Sequence, residues 1–161
     1  MKHAAVRTDK VYGTDNRTGV VSVRFDGDID NGNVVLLTGL EAGSREVYTA
    51  TAVAADSPIG EVVLVASPEV MYDERKRNLE DFYNVAGKAT RGYRFHSGDI
   101  FSVTKEALAG AGTPAIGNVV ELAAGTKMSV VTEATGGSTV IGKIIDIDIV
   151  GRYTYYAIEV A

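Results

Sequence analysis

The chain contains no cysteine and no tryptophan, and only three prolines and two histidines among 161 residues. Without cysteine, disulfides, thiolate nucleophiles and cysteine-ligated metals are excluded. His3 and His96 stand too far apart for an HxxxH or HExxH metal spacing. No GxGxxG or GxxxxGK[ST] loop is present, so no nucleotide cofactor is expected. No run approaches the roughly 18 consecutive apolar residues of a membrane-spanning helix, and no membrane partner is expected. Residues 1–10 start charged but lack the apolar stretch of a signal peptide, which points to the cytoplasm of the cell that makes the protein. Positive charge is also scarce. The net charge is −5 and the pI about 5.0, the wrong sign for a chain whose task is to grip nucleic acid.

What is abundant is β-forming sequence. Hydrophobic residues make up 45% and charged residues 23%, enough apolar material for one domain without a staple. Eighteen glycines predict many tight turns. Runs rich in β-branched and aromatic residues lie at 20–25, 34–40, 45–53, 61–67, 118–123, 127–134, 139–150 and 153–160. Asn31-Gly32 predicts a tight hairpin turn between the first two, and Gly151-Arg152 a two-residue hairpin between the last two. Ile145, Ile147 and Ile149 alternate with Asp146 and Asp148, which predicts a strand with isoleucines inward and aspartates outward. Gly142, inside the same run, predicts a bulge or corner.

The fold class expected is mainly β: a curved sheet or a barrel- or sandwich-like domain with a C-terminal β-meander and at most one short helix. Residues 1–17 read as an N-terminal arm or a first edge strand. Residues 18–161 form the body, with possible lobes 18–108 and 118–161 joined by the small-residue stretch 107–117. The helical candidate is 72–85, where Leu79, Phe82, Tyr83 and Ala86 share a face; an irregular ordered loop is the alternative.

Candidates for chemistry are few. Asp26, Asp28 and Asp30 resemble the start of a calcium loop, but the glycine and the bidentate glutamate it needs are replaced by Asn31 and Leu37, so a charged turn is expected. His96, Ser97 and Asp99 crowd into four residues and cannot easily take triad geometry. No catalytic residue, metal site or cofactor is expected, and the chain is read as a non-enzyme.

The most distinctive segment is 66–108. Between Met71 and Ser97, six cations (Arg75, Lys76, Arg77, Lys88, Arg91, Arg94) face four anions (Asp73, Glu74, Glu80, Asp81), leaving +2 there and −7 on the rest of the chain. Aromatic residues interleave with them. Arg and Tyr are the types most enriched at interface hot spots, so Tyr72, Arg75, Arg77, Arg91, Tyr93 and Arg94 are the candidate partner-binding residues. A solvated charged loop over the core is the alternative, and RNA binding a third that the net charge opposes.

Within this region PEVMYDE (68–74), NLEDF (78–82) and RGYRFHSGDIFSVT (91–104), with IDNGNVVLLTGL upstream and GKIIDID (142–148) before a final YYAIEV, resemble the family of tailed-bacteriophage capsid decoration proteins, also called cement or head auxiliary proteins. The resemblance covers most of the chain after about residue 28. It implies a β-rich virion structural protein that binds the outside of the assembled head and stabilises it, with the major capsid protein as partner and no catalytic residues. A homo-oligomer, a trimer at a three-fold position, fits that role. A tail or neck component and a carbohydrate-binding virion module are the alternatives.

Overall fold

The computed structural model describes residues 3–110 and 112–161. Its strands are β1 (Val6–Lys10), β2 (Val20–Phe25), β3 (Val34–Leu40), β4 (Val47–Thr51), β5 (Val62–Val65), β6 (Ala89–Arg94), β7 (Ile100–Thr104), β8 (Leu108–Ala109), β9 (Val119–Glu121), β10 (Met128–Val131), β11 (Val140–Val150) and β12 (Tyr153–Val160). The protein is mainly β, as the alternation predicts. Strands β2, β4, β3, β5 and β6 close into a five-stranded barrel in that order. The other seven form one sheet in the order β1-β7-β12-β11-β9-β10-β8.

The barrel is thus inserted between two adjacent strands of the sheet, β1 and β7. The lobes divide at residues 95–99, and not at the small-residue stretch 107–117, whose described residues 107–110 and 112–117 lie within the sheet lobe. Ala107 and Leu108 are buried there, and the Ala115 amide is held by Asn118 Oδ1 at 2.8 Å. Val34, Val62, Leu64 and Tyr93 from the outer wall of the barrel join Phe101, Val103, Ile144, Tyr156 and Ile158 from the sheet in one core. A second core fills the barrel itself with Val23, Ile29, Val35, Leu37, Ala50, Val63 and Val65. Two elements that share a dry core cannot slide without opening voids, so the lobes form one domain.

The N-terminal segment resolves to its edge-strand alternative. β1 pairs antiparallel with β7, Ala4, Ala5 and Val11 are buried, and Ala5 both gives to and takes from Thr104. The expectation of a separate arm over 1–17 is corrected accordingly, except that its first two positions lie outside the described residues. His3 anchors the start of the strand, with Nδ1 2.7 Å from Asp30 Oδ1 and its ring stacked on Tyr83 at 4.8 Å. Replacing His3 with alanine removes both contacts and is expected to cost about 1 kcal/mol, read as a small drop in melting temperature.

Three further expectations change. β2 and β3 are not a hairpin, because β2 lies between β4, to which it runs parallel, and β6. The intervening turn is held instead by Asn31, whose side chain bonds Ser67 N and O and Asn84 Nδ2. The C-terminal strands run as a meander except at one step, where β11 pairs with β9 rather than with β10. Among the described residues the one short α-helix lies at Tyr12–Asp15, whereas 72–85 is an ordered loop with a single 3-10 turn at Leu79–Asp81. The loop's backbone groups are engaged elsewhere: Asn84 N and O pair with Ile29, and Glu80 O accepts from His3 N. A helix would have claimed those groups internally.

Candidate interaction surface

The loop from Ser67 to Asn78 leaves the barrel at the end of β5 and carries half of the candidate contact residues. Its root is fixed. Ser67 N donates to Asn31 Oδ1 at 3.0 Å, and Ser67 Oγ accepts from Arg91 N at 3.1 Å. Beyond that root the side chains face water. Tyr72 is 98% exposed, and Val70 beside it is exposed as well. An aromatic ring left in water carries a large unused apolar surface, which is the usual form of an interface anchor before it docks.

The charges around Tyr72 are arranged in local pairs. Arg75 Nε lies 3.1 Å from Asp73 Oδ1, and the Arg75 amide bonds the same oxygen at 3.0 Å. The Arg75 side chain, and then its amide, hold the Asp73 carboxyl below the usual carboxylate range. Arg77 donates to Glu74 O at 2.8 Å and lies 3.7 Å from the Glu74 carboxylate. These exposed pairs add little stability. Their effect is to shape the 73–77 turn beneath Tyr72, with the guanidinium groups still accessible to a partner.

The remaining candidates sit on β6, and they do not form one patch. Gly92 and Arg94 lie on the strand face turned into the barrel, where a Cβ at Gly92 would meet Val63 and Val23. Arg94 accordingly lies over the Tyr48 ring, 5.9 Å from its centroid, and donates to Gly60 O at 3.2 Å. Tyr93 is on the other face, in the shared core and only 7% exposed. Its assignment as a contact residue is therefore corrected: the ring joins barrel to sheet. Arg91 is exposed, makes no ion pair among the described residues, and shares a cleft of about 390 Å³ with Asn16, Arg17 and Tyr93. Tyr72, Arg75, Arg77 and Arg91 remain as candidates, three on the loop and one at its root.

The residues considered for chemistry are engaged in holding backbone. Asp28 Oδ1 accepts from Ala86 N at 2.8 Å, and Asp30 Oδ2 from Ala4 N at 3.0 Å, so the aspartates of the 26–30 turn serve different segments. Asp99 is buried and accepts from the amides of Tyr12 and His96, while the His96 ring lies tilted against Tyr12 with centroids 4.2 Å apart. Among the described residues, no three His, Asp or Glu side chains gather as a metal site. No described helix is long and apolar enough to cross a membrane.

One exposed surface differs from the sequence reading. Ile149 is 73% exposed, with Ile145, Val150 and Ile116 also in water. The Ile/Asp alternation signals a strand correctly, but it carries no information on how far that strand overhangs its core.

Comparison with protein-family models, with curated proteins and with solved structures finds no match.

Proposed function

We propose that this chain is a non-enzymatic virion structural protein, a capsid decoration protein that binds the outside of an assembled phage head through the 67–78 loop. The observation that carries the reading is Tyr72, a fully exposed aromatic residue beside Arg75 and Arg77 on an anchored loop. The family resemblance of the surrounding motifs supports it. So does the charge layout, because a net charge away from zero keeps free copies apart, while residues 71–97, which hold most of the loop and Arg91, are net positive. Repetition over the shell turns modest contacts per copy into stiffening of the whole, and a homo-oligomer at a symmetry axis would multiply them. The partner in this reading is the major capsid protein, and the site of action is the virion surface.

The test is co-sedimentation with assembled phage heads that lack this protein. The wild type is expected to co-sediment. Tyr72→Ala combined with Arg75→Ala is expected to weaken binding about 30-fold or more, the equivalent of one hot-spot loss of about 2 kcal/mol. The melting temperature should stay within about 2 °C, because exposed side chains contribute within roughly 0.5 kcal/mol. Binding by the double variant at the wild-type level would remove the loop from the interface. A wild type that ignores heads but sediments with tails would shift the assignment to a tail or neck component.

A further inference from the structure

Among the described residues, the far half of β11 has a strand partner on one side only. β9 pairs with Val140, Gly142 and Lys143, and Gly117 and Asn118 extend that contact to Ile144. From Ile145 to Val150 the strand is held by β12 alone. The register decides which backbone groups face outward. Ile144 directs its N–H and C=O toward Asn118 and Gly117, and the register then shifts by one residue before Asp146. Asp146, Asp148 and Val150 therefore hydrogen-bond with Ala157, Tyr155 and Tyr153, while Ile147 and Ile149 turn their N–H and C=O away from β12. The Ile147 N–H agrees with this, since it donates at 2.9 Å to the Asp146 Oδ1 beside it. The result is a strand edge open at two residues, flanked by the exposed side chains of Ile145, Ile149 and Val150.

Such an edge is a template for another strand. A second copy of this chain is a poor occupant. An antiparallel two-fold pairing that keeps the sheet faces matched must pair even-numbered residues with even-numbered residues. Centred on 146, 147 or 148, it sets Asp146 against Asp146, Asp146 against Asp148, or Asp148 against Asp148; centred on 149, it sets Ile147 against the turn residue Gly151 and leaves a single ladder pair. Like charges directly opposite destabilise a pair. The same aspartates favour a basic strand. Asp148 already holds Arg7 at 2.9 Å, whereas Asp146 is exposed and caps the Ile147 N–H. An incoming carbonyl can take over that N–H and release the Asp146 carboxylate to a cation.

We propose that the Ile145–Val150 edge of β11 is a docking site for an extended segment of another protein that alternates basic and aliphatic residues. The aliphatic side chains lie along Ile147 and Ile149, and a basic one meets Asp146.

The experiment is an amide NMR titration of the full chain with two capped hexapeptides, three Lys-Val repeats and three Glu-Val repeats. The Lys-Val peptide is expected to shift the amides of residues 145–150 and to bind at least tenfold tighter than the Glu-Val peptide. Ile149→Pro removes an outward N–H and leaves the β12 ladder in place, and it should weaken Lys-Val binding at least tenfold. Asp146→Lys should reverse the preference between the peptides, which keeps the test decisive if the proline variant does not fold. Equal affinity for both peptides, shifts confined to other regions, or no binding would overturn the proposal. So would concentration-dependent self-association abolished by Ile149→Pro, which would make a second copy the occupant.

Discussion

Replacing Gly142 with alanine is expected to destabilise the protein by about 4 kcal/mol, through overpacking together with lost ladder hydrogen bonds. A Cβ at this position would lie 1.9 Å from Glu159 O and 2.7 Å from Glu159 C, both backbone atoms of β12. No side chain can swing aside to relieve the clash. The ladder itself must move, at the point where β11 is paired to β12 on one side and β9 on the other. For a chain of this size the melting temperature should fall by about 8–16 °C. Gly136→Ala is the control, since it has open space around it and no positive φ, and it should melt within about 2 °C of the wild type. If Gly142→Ala also melts there, the register between β11 and β12 is wrong.

The second large effect is expected at Asn31. Its buried side chain donates to Ser67 O at 2.8 Å and accepts from Ser67 N and Asn84 Nδ2, both at 3.0 Å. Asn31→Leu keeps the approximate volume but removes the Asn31 partner of Ser67 N, Ser67 O and Glu69 Oε1, and one of the two acceptors of Asn84 Nδ2. At about 1–3 kcal/mol for each buried group left unsatisfied, with partial relaxation, a loss of about 3 kcal/mol is expected in denaturant titrations. Asn84→Leu should be less than additive with it, because the two residues share one hydrogen bond. Ser67 is also the root of the Tyr72 loop, so its amide should exchange faster in Asn31→Leu and head binding should weaken without any change to the loop's own sequence. Unchanged exchange at Ser67 would show that Asn31 does not anchor the loop.

Much of the strand content was legible from residue types alone. The runs at 20–25, 34–40 and 153–160 coincide with β2, β3 and β12, because β-branched and aromatic side chains in alternation leave few other ways to bury one face. The two-residue turn at Gly151-Arg152 and the register shift against β9 between Val140 and Gly142 were legible for the same local reason: each depends on what one glycine permits. β6 and β7 were missed because RGYRF read as part of a contact patch and DIFSVT only as the end of the resembling motif over 91–104. Their polar residues alternate between barrel interior, shared core and water, a three-way environment that a two-faced pattern cannot express. For the same reason the sequence could nominate Tyr93 for the surface on composition, while burial placed it between the lobes.

Composition and short-range alternation are local properties, and they suffice to specify a β-rich, cysteine-free, acidic chain with one basic-aromatic segment. The tertiary structure alone decided that β1 closes onto β7 across an inserted barrel, that 72–85 stays a loop, and that the end of β11 overhangs its core. Strand pairing joins residues far apart in sequence, as when Ala5 meets Thr104, and the choice among many compatible partners follows from which set of hydrogen bonds and buried faces closes together.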